Sequence, residues 1–238
     1  MAERGYFVIG TSRSETRLQG LANEALKRGL NFTALELDIN CDKAVTTQIS
    51  SVVARHGAID VLVNNAGYGL WGPVQSLSLA EFRSQLETNL LAALSLIKAV
   101  LPGMVGRGKG TIVNISSVLG RLATPFNGAY AASKFALEGL SESLRAELRP
   151  FGVRVALVEP GLFRTDFSEN QVIAGLAMSE DLPYRPYIDR YKAQHDRFGR
   201  SAADPIKVAE AVHKIVRSRR PAFRHPVGLD ARLGMLGA

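Results

Sequence analysis

The chain has 238 residues, 46% of them hydrophobic and 21% charged, with a net charge of +7; this suits one globular domain with a single sizeable core and leaves no case for a second domain. Cys41 is the only cysteine, and His56, His195, His213 and His225 show no paired spacing, so neither an internal disulfide nor a zinc site is expected and a reducing cytoplasm fits. No apolar run is read as approaching the roughly 20 residues of a membrane span, and Met1-Ala2-Glu3-Arg4 leads straight into a strand pattern rather than a signal-peptide core.

Short apolar runs alternate with longer helical patterns from end to end, the pattern of a parallel sheet covered by helices on both faces. The first strand is expected over residues 6–10, followed by a helix that Gly29 closes, a strand over 32–38 and a helix that Gly57 closes. A third strand is expected over 59–64, and Ser78 with Glu81 forms a capping box opening a long helix. Strands are expected over 111–116 and 153–158, separated by a helix running from the Tyr130 region to about Arg149. Residues 167–199 break the rhythm: they are polar, proline-marked and carry Tyr184, Tyr187, Tyr191 and Phe198. A long insertion after a strand's carboxyl end is expected to be a substrate lid. Asp204-Pro205 then supplies an N-cap and a first-turn proline. Beyond it, Arg217, Arg219, Arg220, Arg224 and His225 form the densest basic cluster. That cluster reads as a solvated helix end and tail in preference to a nucleic-acid surface.

Tyr130 and Lys134 are four residues apart in a helical segment, so their side chains share one face. A tyrosine is a poor base at neutral pH; an ammonium about 4 Å away supplies about 4 kcal/mol toward the phenolate at an effective dielectric of 20, enough to lower its pKa by about three units. The pair is a candidate general acid/base unit, although the spacing alone also fits an ordinary surface pair. Upstream, residues 111–117 read as a strand ending in hydroxyls, which puts Ser117 at the carboxyl edge where such sheets bind ligands. Asn64-Asn65-Ala66-Gly67 ends another strand, and Asn89 falls inside the long helix after it. Taken singly, Ser117 equally caps a loop and Asn89 equally serves as a helix-face hydrogen bonder.

In this order and spacing, Asn-Asn-Ala-Gly, a helical Asn, a strand-end Ser and Tyr-x-x-x-Lys resemble the short-chain dehydrogenase/reductase family. The likeness covers residues 1 to about 165. Val158-Glu159-Pro160-Gly161 with Thr165 resembles the family's nicotinamide-side loop, and residues 203–228 resemble, less specifically, its steroid- and retinol-dehydrogenase branch. The resemblance implies a Rossmann-like, doubly wound α/β fold and hydride transfer between a nicotinamide cofactor and an alcohol or carbonyl. It implies that Tyr130 exchanges a proton with the substrate oxygen and that Lys134 lowers the Tyr130 pKa and holds the nicotinamide ribose. Ser117 would stabilise the substrate oxygen, and Asn89 would position a water that relays protons toward Lys134. The implied cofactor-binding set is Ser12, Arg13, Asp38, Ile39, Asn64, Ala66, Gly67, Tyr130, Lys134, Pro160, Gly161 and Thr165, with no metal.

Thr11-Ser12-Arg13 ends the first strand where an acid would bind the adenosine ribose of NAD, so NADP(H) is expected over NAD(H). Asp38 equally reads as a cap for the loop before the next helix. Leu70, Trp71, Leu119, Leu122 and the aromatic insertion suggest an apolar substrate pocket or, equally, core packing. A homodimer or homotetramer is expected.

One departure from the family stands out. Its opening strand and Thr-Gly-x-x-x-Gly-x-Gly turn, whose amides hold the cofactor pyrophosphate, have no counterpart among Gly5, Gly10, Gly20 and Gly29. Three explanations stay open: a start placed too far downstream, a true fragment, or a partner that completes the sheet. The chain is accordingly expected to bind cofactor more weakly than a form extended at its N-terminus. Two functional classes follow: an oxidoreductase, or a non-catalytic binding or scaffolding relative with an incomplete cofactor site.

Overall fold

In the computed structural model, which describes residues 1–165, 167, 171–177, 179, 182–199 and 202–234, strands and helices alternate from the start. β1 (Val8–Ser12), α1 (Glu15–Lys27), β2 (Phe32–Glu36), α2 (Asp42–His56) and β3 (Val61–Asn64) follow one another. A short β4 (Leu70–Trp71) precedes α3 (Leu79–Leu86), which runs through a π-helical turn at Glu87–Leu91 into α4 (Ala92–Gly106). Then come β5 (Gly110–Ile115), α5 (Gly128–Leu148), β6 (Val153–Pro160), β7 (Val172–Ile173), α6 (Arg185–Gly199), α7 (Ile206–Arg217), β8 (Arg224–Val227) and α8 (Leu229–Gly234).

Every strand pair is parallel, as the Rossmann-like α/β reading requires. The order is β3-β5-β6-β8 in the central sheet, with β1-β2 and β4-β7 as separate two-stranded pairs. Among the described residues, no ladder of hydrogen bonds joins β1 to β3.

Side-chain parity explains why helices cover both faces. Ile112, Val153 and Val155 point to a cluster with Ile97, Val100 and Met104 of α4 and Leu144 and Leu148 of α5. Their neighbours Val113, Ile115, Ala156 and Val158 point the other way, onto Val212 and Ile215 of α7. Buried on both faces, β5 and β6 therefore read as continuous apolar runs. A polar chain crosses this core. Asn64 Nδ2 donates to Asn114 Oδ1 at 2.8 Å, Asn114 Nδ2 donates to Ser141 Oγ at 2.8 Å, and Ser141 Oγ donates to the Leu137 carbonyl.

Several expectations shift. The first strand lies two residues later than 6–10, because its ladder with β2 starts at Val8 opposite Phe32. β8 escaped the sequence reading: Arg224-His225-Pro226-Val227 is polar and contains proline, tolerated because the strand pairs only with β6, at the sheet's edge. Leu79–Gly106 is a continuous 28-residue helix long and apolar enough to cross a membrane, contrary to the reading that no segment is. In this fold Ile97, Val100 and Met104 pack it on the sheet. The Ser78–Glu81 capping box forms as expected, with Glu81 N donating to Ser78 Oγ and Ser78 N to Glu81 Oε2. Asp204 accepts from the Ile206 amide, starting α7.

Candidate active site

Because the strands are parallel, their carboxyl ends share one edge, and the sequence motifs arrive there together. β1 delivers Ser12 and Arg13, β3 delivers Asn64 and the loop through Gly67, β5 delivers Ser117, and β6 delivers Pro160 and Gly161. Tyr130 lies in the first turn of α5, which begins at Gly128 after Asn127.

The Ser117 side chain lies near enough to the Tyr130 hydroxyl to pull its pKa downward, and its Oγ accepts from the Leu119 amide at 3.1 Å. Tyr130 is 7% exposed and Ser117 8%, so this contact is shielded from water. Lys134, one turn along α5, is 5% exposed; its Nζ lies 5.7 Å from the Tyr130 ring centre and donates to the Ile115 carbonyl at 2.8 Å. Burial pushes the Tyr130 hydroxyl up to about 12, against a smaller pull downward from Ser117, and pushes Lys134 down to about 8. This corrects the expectation of a lowered Tyr130 pKa. The ammonium is turned toward a backbone carbonyl, and desolvation of the phenolate outweighs it. Near pH 7 the pair is a neutral phenol beside an ammonium, the protonation state of a proton donor.

Asn89 occupies the π-helical turn, a wider turn than its neighbours and a distortion common at functional sites. Its side chain is committed to bracing: Oδ1 accepts from the Tyr68 amide, and Nδ2 donates to the Tyr68 carbonyl and to Ser133 Oγ, all at 3.0–3.1 Å. Both amide donors are used, while Oδ1 accepts one bond and keeps a second lone pair. A β-carbon on Gly67 would lie 2.9 Å from Asn89 Oδ1 and 3.8 Å from Lys134 Nζ, so glycine is what lets this loop approach both.

The remaining residues separate. Arg13 is exposed, and its charge reaches Tyr68 across the edge. Ser12 Oγ accepts from the Ser14 amide, and Ser14 caps α1. Asp38 Oδ1 accepts from the Asn40 amide, so the structure shows its capping role. Ile39 is half-buried beside it and Ala66 is exposed. Thr165 Oγ1 accepts from the Phe167 amide, and the Leu162 amide after Gly161 donates to Asp230.

Sequence reasoning did not single out Gln85, Asn114, Ser133, Ser141 or Phe126. Gln85 is fully buried and clamps the loop after β3, Oε1 accepting from Leu70 N and Nε2 donating to the Tyr68 carbonyl. The one legible signal was Asn114, a polar residue inside an apolar strand. Phe126 has φ of 65°, rare for a residue with a side chain, and its ring packs 5.5 Å from Trp71 and 5.4 Å from Tyr191. Phe167 covers the Tyr130 ring at 5.6 Å.

The family description for short chain dehydrogenases matches residues 1–174. The chain belongs to the short-chain dehydrogenase/reductase family. Among its relatives, human retinol dehydrogenase 8 is 39% identical over 95% of this chain and 74% of its own length. A short-chain dehydrogenase from Streptomyces avermitilis superposes with a TM-score of 0.84 and 34% identity, covering 99% of this chain and 84% of that one. A gluconate 5-dehydrogenase from Burkholderia cenocepacia, solved with NADP and tartrate, gives a TM-score of 0.67 at 31% identity over 70% of this chain and 66% of that one. Short-chain dehydrogenases are oxidoreductases of alcohol and carbonyl groups that use a nicotinamide cofactor. Of the two classes open at the sequence level, the chain falls in the oxidoreductase class.

Proposed function

We propose that this chain interconverts an apolar ketone or aldehyde and its alcohol with NADP(H), using Tyr130 as the proton-transfer group. The observation that carries the reading is the burial of Ser117, Tyr130 and Lys134 together at the carboxyl edge of the sheet, with Ser117 acting on the Tyr130 hydroxyl and Lys134 one helical turn away. In reduction, Tyr130 gives its proton to the substrate oxygen while Ser117 donates a hydrogen bond to that same oxygen. Lys134, charged below about pH 8, stabilises the phenolate left behind. Asn89 fixes the loop at Tyr68 against α5, and the free lone pair of its Oδ1 supports the water relay toward Lys134.

When bound, the nicotinamide supplies or accepts the hydride. The fit of such a group is supported by the carboxyl edge where Tyr130, Lys134 and the loop at Gly67 meet, a loop in which a β-carbon on Gly67 would lie 2.9 Å from Asn89 Oδ1. In this reading Tyr130 and Lys134 hold the nicotinamide ribose, and Pro160, Gly161 and Thr165 flank the ring. Asn64, Ala66 and Gly67 line the middle, and Asp38 and Ile39 lie toward the adenine. Arg13, with Ser12 and the capped start of α1, suits a 2′-phosphate and supports NADP over NAD.

An apolar substrate is supported by the Trp71, Phe126 and Tyr191 rings and by Phe167 over Tyr130, and by the relative that is a retinol dehydrogenase. The reading keeps a single domain spanning 1–238 with a substrate lid over residues 167–199, of which 168–170, 178 and 180–181 lie outside the described residues. The reading includes a homodimer or homotetramer, for which half-exposed Phe135 and Phe151 are candidate contacts. It includes cytoplasmic residence, supported by the single unpaired Cys41, and no nucleic-acid partner, since Arg224 is engaged by Glu138 and Glu142. The test follows NADPH consumption with matched sets of long-chain and short hydrophilic ketones. Turnover confined to the hydrophilic set removes the apolar pocket, and no turnover with either removes the activity.

A further inference from the structure

We propose that Glu138 is a positioning residue for Lys134: its carboxylate, fixed by Arg224, is the counter-charge that keeps the lysine an ammonium, while Glu159 stands beside it as an acid that is neutral in mildly acidic solution. The proposal deepens the reading above, resting on Lys134 as the partner of Tyr130.

Lys134, Glu138 and Glu142 follow one another at intervals of four along α5 and form one stripe. Arg224, arriving on β8, draws two of them together: Nε donates to Glu138 Oε2 and Nη2 to Glu142 Oε2, both at 3.0 Å. The guanidinium also lies 4.4 Å over the Phe223 ring, which fixes its plane. Glu159, from β6, places Oε1 3.7 Å from the same Nε. Two carboxylates thus converge on one guanidinium nitrogen, and Glu159 is fully buried. Among the described residues, Glu138 Oε1 and both Glu159 oxygens have no hydrogen-bond partner. An ionised carboxylate can only accept, so two of them here would face each other with unmet demand. A protonated Glu159 removes one of the two charges and brings a donor into the cluster.

The charges facing Glu138 come from every element around it. α5 supplies Lys134 and Glu142, β8 supplies Arg224, β6 supplies Glu159, and Arg121 follows the turn at Val118–Gly120, where its charge acts on Glu159. That turn sits directly on the acid, because a β-carbon on Gly120 would lie 3.1 Å from Glu138 Cγ. The acid site therefore underlies the loop that carries Ser117. Electrostatics agree with the geometry: Glu138 raises the Lys134 pKa against desolvation, while burial and the charge of Glu138 lift Glu159 to about 7.

The test needs neither substrate nor cofactor. In protein carrying 15N-labelled lysine, the Lys134 Nζ signal is assigned by its loss in Lys134→Arg and followed against pH. The wild-type midpoint is expected at about 8. Glu138→Gln should lower it by about one unit or more, and Glu138→Asp should restore part of the shift. Glu159→Gln, which removes a charge that Glu159 carries only above about pH 7, should lower it by less than Glu138→Gln does. An unmoved midpoint in Glu138→Gln, or an equal shift in Glu159→Gln, overturns the proposal. Should Glu138→Gln not fold, difference infrared spectra of the wild type decide. A buried carboxylic-acid stretch at pH 6 must vanish in Glu159→Gln and persist in Glu142→Gln, and its absence from the wild type is equally fatal. The Tyr130→Phe assay described below reports on the catalytic reading alone, so the two failures are distinguishable.

Discussion

β1 and β2 contain no fully buried residue, whereas all six residues of β5 are buried. Both regions are parallel strands with helices attached, so the contrast lies in what surrounds each strand. β5 has ladder partners on both edges and helices on both faces. β1 pairs with β2 alone, and Phe7, Leu21 and Leu26 around it are about half or more exposed. Burial of a strand thus records its place in the sheet more than its own side chains. The two regions also divide the work of the site: Ser12, Arg13, Asp38 and Ile39 lie at the lightly packed end, and Ser117, Tyr130 and Lys134 lie on the dense centre. Affinity for the cofactor tail should then be adjustable at one end without disturbing the chemistry at the other.

The largest expected effect tests the dense centre. Tyr130→Phe should reduce turnover by about 100-fold or more while leaving the melting temperature and NADPH binding close to wild type, because only the proton-transfer oxygen is lost. Full turnover in that variant would remove Tyr130 from its role. Next, Ile112→Ala should destabilise the protein by about 2–5 kcal/mol, and Ile9→Ala, half-buried in β1, by about 1 kcal/mol, both read from urea denaturation. Equal losses would erase the contrast between the regions. Arg13→Ala should lower the preference for NADPH over NADH by about tenfold with little change in rate at saturation. If both cofactors bind the variant as they bind the wild type, the 2′-phosphate lies elsewhere.

The smallest effect is in pH. Lys134 is lowered by burial to about 8, so its charge is complete well below that value and half lost at it. The rate of carbonyl reduction should therefore hold level from about pH 6 to 7 and fall to about half near pH 8. Tyr130, raised to about 12, stays protonated throughout that range and cannot account for the fall. A rate that is flat to pH 10 would detach Lys134 from the phenolate.

The dense centre was the legible part of the sequence. Residues 111–116 and 153–158 are continuous apolar runs because β5 and β6 are covered on both faces, and they map to Gly110–Ile115 and Val153–Pro160. The motif residues Ser117 and Tyr130 meet because one follows β5 and the other opens α5, an inference from order along the chain. Less could be read where geometry depends on partners distant in sequence. β8 is a strand only because β6 offers it an edge, and β4 only because Val172 and Ile173 come back to it. The raised Tyr130 pKa could not be read from spacing, since an i, i+4 pair fixes neither the direction of the ammonium nor the depth of burial. Asn89 gave its position but not its bracing contacts, because its hydrogen-bond partners Tyr68 and Ser133 are 21 and 44 residues away.

The chain of Asn64, Asn114 and Ser141 sets the alignment of the whole apparatus. Asn64 stands opposite Asn114 in the ladder, and a slip of one residue would turn the two amides to opposite faces. The same Asn114 anchors α5 through Ser141, two turns beyond Lys134. Three amide and hydroxyl groups thereby act as an index mark, fixing how far α5 can slide along β5. Ser117 follows β5 and Tyr130 opens α5, so the spacing between them is calibrated in the core, away from substrate and solvent.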